Sequence, residues 1–555
     1  MTNKGPCCEK NQTAKIKEVE DLPFIMLELF TAEENIVTID ANHLVASKHI
    51  KAGSILLIQP PLASVPLPAK RHQRCNNCLK KAQLQCCSRC RSAYFCSNEC
   101  FRNAWLHFHR VLCEPQQTDV YKDVDADRWL LERTALTLDS HKRLNKQHSH
   151  SPPHLPASIQ ALQTINLLDS SATTIPQQQQ HQEIVDSVAN FLSNYDCQLT
   201  KEELDTLWHR IRAASFPIQD IENHLEEVAI GVYPITNLFV QHSCRPNAAL
   251  SYKQGGVQNL IAIEDISPGK PITITYADLI STKQERGEAL KSRFGNKFKC
   301  HCNRCEGDLA CLDAVLEKGE TLKVSEKEAE SLLEHYMISW SVLDMVKYSE
   351  SKREKGESLS PVHTLDIPSF CMFINRIATP DIYYAPLTEK KKHTHHPESY
   401  LRVCNRNDRD ELYRRIPLAC QAIANIPQAP SFTVPFIKAA ERLLRARITE
   451  GKWVESSRCA LFLAIAYRLL YPLLHPKVSH HTLILARAGW NALVEMELIG
   501  VDRKLERIYE NGAQTWIELA RTAVATTFGR ESNLWRDVIE LQWVYEREQK
   551  VRGTA

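Results

Sequence analysis

Seven regularly spaced cysteines and one histidine between residues 75 and 113 carry the most definite chemistry in this chain. They read Cys75-x2-Cys78, Cys87-x2-Cys90, Cys96-x3-Cys100 and His109-x3-Cys113. A Cys-x2-Cys pair presents two thiolates from one tight turn, and an x3 spacing presents two ligands from one helical turn. Four such pairs supply enough donors for two closed tetrahedral zinc sites. A closed site keeps no position open for substrate, so both ions are expected to be structural. They should also supply much of the folding free energy of so small a module. Cys86 and His107 stand beside Cys87 and His109, and spacing alone leaves a swap within either pair open.

A smaller group, Cys300, Cys302 and Cys305, offers three thiolates and lacks a fourth, with Cys311 and His301 close at hand. Elsewhere, Gly-x-Gly-x-x-Gly, Gly-x-x-x-x-Gly-Lys and His-Glu-x-x-His are absent. Rossmann-type, P-loop and zinc-protease chemistry are therefore disfavoured.

The bulk composition sets the frame. A chain of 555 residues with 43% hydrophobic content can build several cored domains. Its net charge of +2 excludes a global electrostatic nucleic-acid binder. From Arg71 to Cys113, Lys and Arg greatly outnumber the single acid Glu99. Seven thiolates and two zinc ions bring that excess from +7 to +4, a moderate patch, so nucleic-acid contact is the weaker expectation there. Met1–Gly5 lacks an apolar signal region, and the longest apolar stretch, Cys459–Leu474, is broken by Arg468 and Pro472. The expectation is a nuclear or cytoplasmic monomer without a membrane span, whose cysteines serve metals rather than disulfides.

The elements that must position these residues follow from pattern. Residues 24–62 read as β: Ile36–Ile39 and Leu44–Ser47 are short apolar runs, Lys51-Ala52-Gly53 is a turn, and Ser54–Ile58 is a further strand. A second β-rich block runs from Gly231 to Tyr276, and Pro271-Ile272-Thr273-Ile274-Thr275-Tyr276 alternates as a half-buried strand does. Helical pattern covers 120–140 and 183–213. Between them, 145–182 contains His148-Ser149-His150-Ser151-Pro152-Pro153 and the run Gln177–Gln180, and is expected to stay unstructured. Beyond 311 the chain reads helical. Phe436, Ala440, Leu443 and Leu444 share one face, as do Leu483, Ala486, Trp490, Leu493 and Val494. Gly529 suits the end of a helix over Trp516–Phe528. Residues 1–21 are expected to be flexible and Lys390–Ser399 to form an exposed basic loop. The helix pairs suggest tetratricopeptide-like packing, without a clean repeat.

The order of motifs is itself informative. Gly231-Val232-Tyr233-Pro234 leads to Gln241-His242-Ser243-Cys244-Arg245-Pro246-Asn247, then to Gly269–Tyr276, then to Phe298-x-Cys300-x-Cys302-x2-Cys305. This resembles a SET domain, with its Asn-His-Ser-Cys-x-Pro-Asn core, its Gly-Glu-Glu-x-x-Ile-x-Tyr strand and its post-SET zinc knot. The 75–113 cluster, with Tyr94-Phe95-Cys96-Ser97 and Ala104-Trp105, resembles a MYND finger. A MYND finger inserted into a SET core is the plan of the SET-and-MYND family of protein lysine methyltransferases, and the resemblance spans about residues 24–310. It implies an α+β fold: a split SET-type β core, an inserted MYND zinc finger, a post-SET zinc knot and an all-α tetratricopeptide-like C-terminal domain. The expected segments are 22–70 and 231–285 for the SET core, 75–113 for the finger, 114–230 for the insert, 286–310 for the post-SET motif and 311–555 for the helical domain.

The resemblance implies interleaved ligands, Cys75, Cys78, Cys96 and Cys100 for one zinc, and Cys87, Cys90, His109 and Cys113 for the second. It implies Cys244 as the fourth ligand of a third zinc with Cys300, Cys302 and Cys305. It further implies S-adenosylmethionine as cofactor and a lysine-bearing protein, histone or otherwise, as substrate. Tyr276 would be the catalytic tyrosine and also touch the cofactor, His242 would contact the cofactor, and Phe298 would pack on it. MYND fingers resemble docking modules for proline-rich peptides more than nucleic-acid readers.

Three positions depart from the family pattern. The cofactor loop Gly-x-Gly-Leu reads Ala41-Asn42-His43-Leu44, so Asn42, His43 and Leu44 stand where cofactor contacts are expected. Gln241 replaces the first Asn of the core motif and moves its amide by about 1.5 Å. Phe294 takes the place of a second substrate-channel tyrosine. Beside the methyltransferase reading these departures support an alternative, an inactive scaffold that recruits partners through the finger and the helical domain.

Overall fold

A two-residue turn, Ala41-Asn42, joins β1 (Val37–Asp40) to β2 (His43–Ala46) in an antiparallel hairpin. Both turn residues take positive φ, +46° and +65°, the conformation that matches turn twist to strand twist in two-residue hairpins. The computed structural model describes residues 36–113, 125–147, 156–165, 175–195, 197, 199–221, 225–317, 324–338, 416–417, 420, 432–499 and 503–553. The expectations for 1–21 and Lys390–Ser399 lie outside these residues.

Sheets are shared across the cysteine-rich insertion. Before it come β3 (Ile55–Gln59) and β4 (Ser64–Pro66); within it are β5 (Gln85–Cys86) and β6 (Tyr94–Phe95); after it come β7 (Ser215–Asp220) and β8 (Glu226–Val232). Next are β9 (Gln241–His242), β10 (Ala248–Lys253), β11 (Val257–Ala262) and β12 (Thr273–Ile274). The sheet orders are β10-β11-β3 and β4-β8-β7. Strands distant in sequence thus share one core, where Leu56 from before the insertion is buried in one cluster with Val228 and Leu260 from after it. β12 is shorter than the alternation over Pro271–Tyr276 suggests. Its partner β9 is only two residues long, so Tyr276 lies just past the strand end.

Helix Lys201–Ala214 starts at a capping box, Thr200 with Glu203. The expectation of an unstructured 145–182 is corrected in part. Helices Ala126–Gln147, Ala157–Thr164 and Ile175–Ser193 enter this region, and the last contains the whole glutamine run. Glutamine is a fair helix former, Pro176 suits a first helical turn, and burial of Val185, Val188 and Leu192 supplies the packing that the polar composition concealed.

Five long helices complete the chain: Val434–Glu450, Trp453–Leu470, Pro476–Ile499, Arg503–Phe528 and Asn533–Gly553, each packed on the next. The apolar Cys459–Leu474 stretch is a helix buried on nearly every face up to Leu470. Gly529, at φ +82°, ends the fourth helix. This α-helical array packs on the β core. Cys244, Ile263, Leu279 and Cys305 share one apolar cluster with it, and Arg245 donates to the Leu469 carbonyl at 2.9 Å. Among the described residues no helix is long and apolar enough to cross a membrane.

Candidate active site and metal centres

In the 75–113 module the sequence order is interleaved in space. Sulfurs of Cys75, Cys78, Cys96 and Cys100 converge within 4.8 Å of one another, as do the donor atoms of Cys87, Cys90, His109 and Cys113. Ser97 starts helix Asn98–Ala104 by accepting from the Cys100 N–H at 3.1 Å, which turns Cys100 back toward Cys96. Neighbouring donors lie 3.6 Å apart for Cys78 and Cys96, 3.5 Å for Cys96 and Cys100, and 3.8 Å for both Cys87–Cys113 and Cys90–His109. A tetrahedron of zinc–sulfur bonds of about 2.3 Å has edges of about 3.8 Å, so the donor set fits that ion. Burial pushes the His109 imidazole down to about 4, which keeps it neutral and able to ligate at physiological pH. Cys86 and His107 are exposed and outside both groups.

The finger is bolted to the core by cations. Arg133 donates to the carbonyls of Asn76, at 2.6 Å, and Ser64, and its guanidinium lies 3.7 Å from the Phe108 ring centre. Arg74 pairs with Asp220 at the end of β7.

A third convergence joins Cys244 to Cys300, Cys302 and Cys305, with the Cys244 and Cys305 sulfurs 3.6 Å apart. The nearby alternatives lie outside it: His301 pairs with Glu306 at 2.7 Å, and the Cys311 thiol faces the Asp308 carbonyl. Two fully buried arginines stand beside this group. Arg286 makes a two-pronged pair with Asp313, at 2.9 and 2.7 Å, and Arg304 donates to the same carboxylate at 3.0 Å. Two buried guanidiniums against one carboxylate leave positive charge in a dry environment, where it needs a counter-charge. Four thiolates around one divalent ion would supply it.

The aromatic site lies where β9 and β12 run parallel. Ile272 donates its N–H to the Leu44 carbonyl and accepts from the Gln241 N–H. The β1–β2 hairpin and the Gln241–Asn247 segment therefore flank one chain. Asn247 locks this arrangement by accepting from Thr273 N–H at 2.8 Å and donating to the Pro271 carbonyl at 2.8 Å. Around it gather His242, Tyr276, Phe294 and Phe298. Ring centres are 6.2 Å apart for His242–Tyr276, 6.3 Å for His242–Phe298, 5.0 Å for Tyr276–Phe294 and 4.9 Å for Phe294–Phe298. The Tyr276 hydroxyl lies 2.9 Å from the Val240 carbonyl and 3.1 Å from the Thr236 carbonyl, at the C-terminal end of the short helix Pro234–Phe239. Its proton points at backbone, which leaves the oxygen lone pairs as acceptors. Burial pushes its ionisation well above the ordinary tyrosine value, so it acts as a neutral hydroxyl rather than a base.

The His242 ring is committed on both sides. Its Nδ1 accepts from the Tyr276 backbone N–H at 3.1 Å, and its Nε2 stands 3.3 Å from Cys244 Sγ. Burial draws its ionisation down to about 4. In the hairpin, Ala41 and Asn42 are exposed, His43 is half-buried with its imidazole pushed down by burial, and Leu44 is buried. The backbone there adopts the left-handed angles that glycine favours although no glycine is present, at a cost of about 1–2 kcal/mol for Ala41. Half-buried Gln241 makes no side-chain hydrogen bond among the described residues.

Three residues here escaped the sequence reading. Phe216 on β7 lies 5.5 Å from the Tyr276 ring. Arg293 sits over both rings, 4.4 Å from Phe216 and 4.8 Å from Tyr276, and donates to the Ser215 carbonyl at 2.8 Å. Burial lowers its ionisation to about 10, so it stays charged. Asn237 Oδ1 is buried and makes no hydrogen bond among the described residues. No local motif marks these positions, although Asn237 lies four residues before Gln241.

Comparison with known proteins agrees with this geometry. A SET domain model matches residues 42–277. The chain is 27% identical to histone-lysine N-methyltransferase SMYD3 of Mus musculus over 304 residues, covering 53% of this chain and 67% of that protein. It is 25% identical to N-lysine methyltransferase SMYD2 of Bos taurus, covering 55% and 70%. With histone-lysine N-methyltransferase ASHR1 of Arabidopsis thaliana the identity is 22%, over 79% of this chain and 82% of the relative. The order of motifs, the shared β core and these relatives converge: the chain carries a SET domain and is similar to the SET-and-MYND protein lysine methyltransferases.

Proposed function

We propose that this methyltransferase uses S-adenosylmethionine to methylate a lysine side chain on a protein, with Tyr276 as its catalytic residue and three structural zinc ions holding the site together. The observation that carries the reading is the Tyr276 hydroxyl, buried in a wall of aromatic rings with its proton turned to the Thr236 and Val240 carbonyls.

The residues present fit the cofactor. Asn237 Oδ1 is an unsatisfied buried acceptor and Gln241 carries an uncommitted amide, as a polar nucleoside-bearing ligand requires. Asn42, His43, Leu44, Gln241, His242, Tyr276 and Phe298 are the residues that would hold it. When bound, the cofactor supplies an electrophilic sulfonium methyl. The chain supplies orientation and dryness. The Tyr276 oxygen accepts a hydrogen bond from the lysine amine and directs its lone pair. The buried Thr236 and Val240 carbonyls at the end of helix Pro234–Phe239 place partial negative charge beside the Tyr276 hydroxyl, where positive charge develops on the amine. Phe216, Phe294 and Phe298 exclude water. Because Tyr276 stays protonated, the lysine must arrive neutral or release its proton to solvent.

The finger's exposed Leu106 and its excess of Lys and Arg suit docking of a proline-rich peptide, which brings the substrate protein to the enzyme.

Calorimetric titration of zinc-replete protein with S-adenosylmethionine tests the cofactor, with a single saturable site as the expected result. Tyr276→Phe should keep that site and lower methyl transfer about 10²–10³-fold, read by mass spectrometry of lysine-bearing proteins. A flat titration would overturn the reading in favour of a scaffold. Full activity of Tyr276→Phe would overturn the role of its hydroxyl.

A further inference from the structure

We infer a further metal site, separate from the cysteine centres, formed by His181, Asp205 and His209 and suited to zinc or a neighbouring divalent transition metal. Asp205 and His209 are one turn apart on helix Lys201–Ala214, so their side chains share a face. His181 comes from the facing helix Ile175–Ser193. Donor atoms from the three side chains all lie within 4.8 Å of one another. His181 Nε2 is 3.0 Å from one Asp205 oxygen, and His209 Nε2 is 4.0 Å from the other.

The orientation of the rings favours a metal over a plain ion pair. The His181 and His209 rings are 4.8 Å apart and nearly perpendicular, at 86°. The His181 ring is held by stacking on Trp208, 5.6 Å away at 13°. His181 Nε2 is a buried atom that makes no hydrogen bond of acceptable geometry, despite the nearby carboxylate. An ion between the three donors would satisfy it. Donors about 2.0 Å from one zinc stand about 3.3 Å apart at tetrahedral angles, a spacing that small rotamer shifts of these side chains reach. Two imidazoles and a carboxylate form a donor set that zinc and its neighbours accept.

Three protein ligands leave a coordination position open. A cavity of about 120 Å³ lies against His181, lined also by Asp127, Gln180, Ile184, Trp208 and Arg212. It has room for water, and Arg212 offers a charge partner to an anion on the metal. The ion would tie the two helices together. Helix Lys201–Ala214 runs directly into β7, whose Phe216 touches Tyr276, so the brace reaches the element beneath the aromatic site.

The test uses the untagged full-length protein with its cysteine centres loaded, titrated with Co²⁺ and followed by absorption and by metal analysis. Wild type is expected to take up one further equivalent, with d–d bands and no thiolate-to-cobalt charge transfer. That equivalent should be lost in His181→Ala and in His209→Gln, and retained in His49→Ala. Far-UV circular dichroism checks that the helices persist. His209→Gln leaves the His181–Trp208 stack untouched and remains informative if His181→Ala unfolds. Absence of the extra equivalent in wild type, its persistence in His209→Gln, or a thiolate spectrum would overturn the site. The difference between variants is independent of methyl transfer, so this result and the catalytic reading fail separately.

Discussion

The Tyr276 backbone N–H donates to His242 Nδ1, and the opposite nitrogen of that ring faces Cys244 Sγ at 3.3 Å. One imidazole thus spans the gap between the aromatic site and the four-cysteine group. Accepting at Nδ1 leaves the ring proton on Nε2, where it points at sulfur. The orientation of Tyr276 is thereby coupled to the post-SET cysteines.

Cys305→Ser should therefore cost more than one ligand. We expect the protein to lose one zinc, and methyl transfer to fall by about 10–100-fold or more, while the 75–113 module keeps its metal. Elemental analysis alongside an activity assay checks both. Full activity without that zinc would show that the aromatic site stands alone.

Phe294 meets the Tyr276 ring edge to face at 5.0 Å. A hydroxyl added there would take up space and offer the amine a second acceptor. Phe294→Tyr is expected to shift products toward fewer methyl groups per lysine, read as intact peptide mass. An unchanged distribution would place Phe294 outside the channel.

Asp313 answers both Arg286 and Arg304 in a buried setting. Asp313→Asn removes the carboxylate that both guanidiniums bond directly and leaves them only the neighbouring thiolates as counter-charge. The expected loss is about 3–5 kcal/mol, seen as a lower urea midpoint with a similar slope. A midpoint shift equivalent to less than about 1 kcal/mol would mean that solvent or the neighbouring thiolates already balance them.

His481 is buried and bonded through Nε2 to the Ala460 carbonyl at 2.8 Å. Burial lowers its ionisation from 6.5 to about 4. The unfolded chain binds the proton first as pH falls. Its contribution to stability is therefore whole above about pH 6.5, shrinks between there and about pH 4, and is gone below that. His481→Gln should flatten the fall in thermal midpoint across that window. An unchanged slope would assign the acid sensitivity elsewhere.

Local chemistry was legible from the sequence. Cysteine spacing marked pairs of donors, because a turn or a single helical turn suffices to bring each pair together. Short apolar runs located β1, β2 and β3, the alternation over Pro271–Tyr276 contained the shorter β12, and helical apolar spacing located C-terminal helices, whose burial follows from periodicity. The order of motifs drew attention to His242, Tyr276, Phe294 and Phe298, which the fold gathers, and the resemblance it carried supplied the interleaving of the ligands.

Other features exist only once the chain is folded. The glutamine run gained a helix from packing that its composition does not announce. Ala41 and Asn42 take glycine-like angles because a two-residue hairpin demands them. Phe216 and Arg293, far apart in sequence, meet on Tyr276 because helix Lys283–Phe294 and β7 pack together. The double commitment of His242 required Cys244 and Tyr276 to approach from opposite sides. Sequence spacing reports what a few residues can do alone; the burial that turns those residues into a site is set by partners tens to hundreds of positions away.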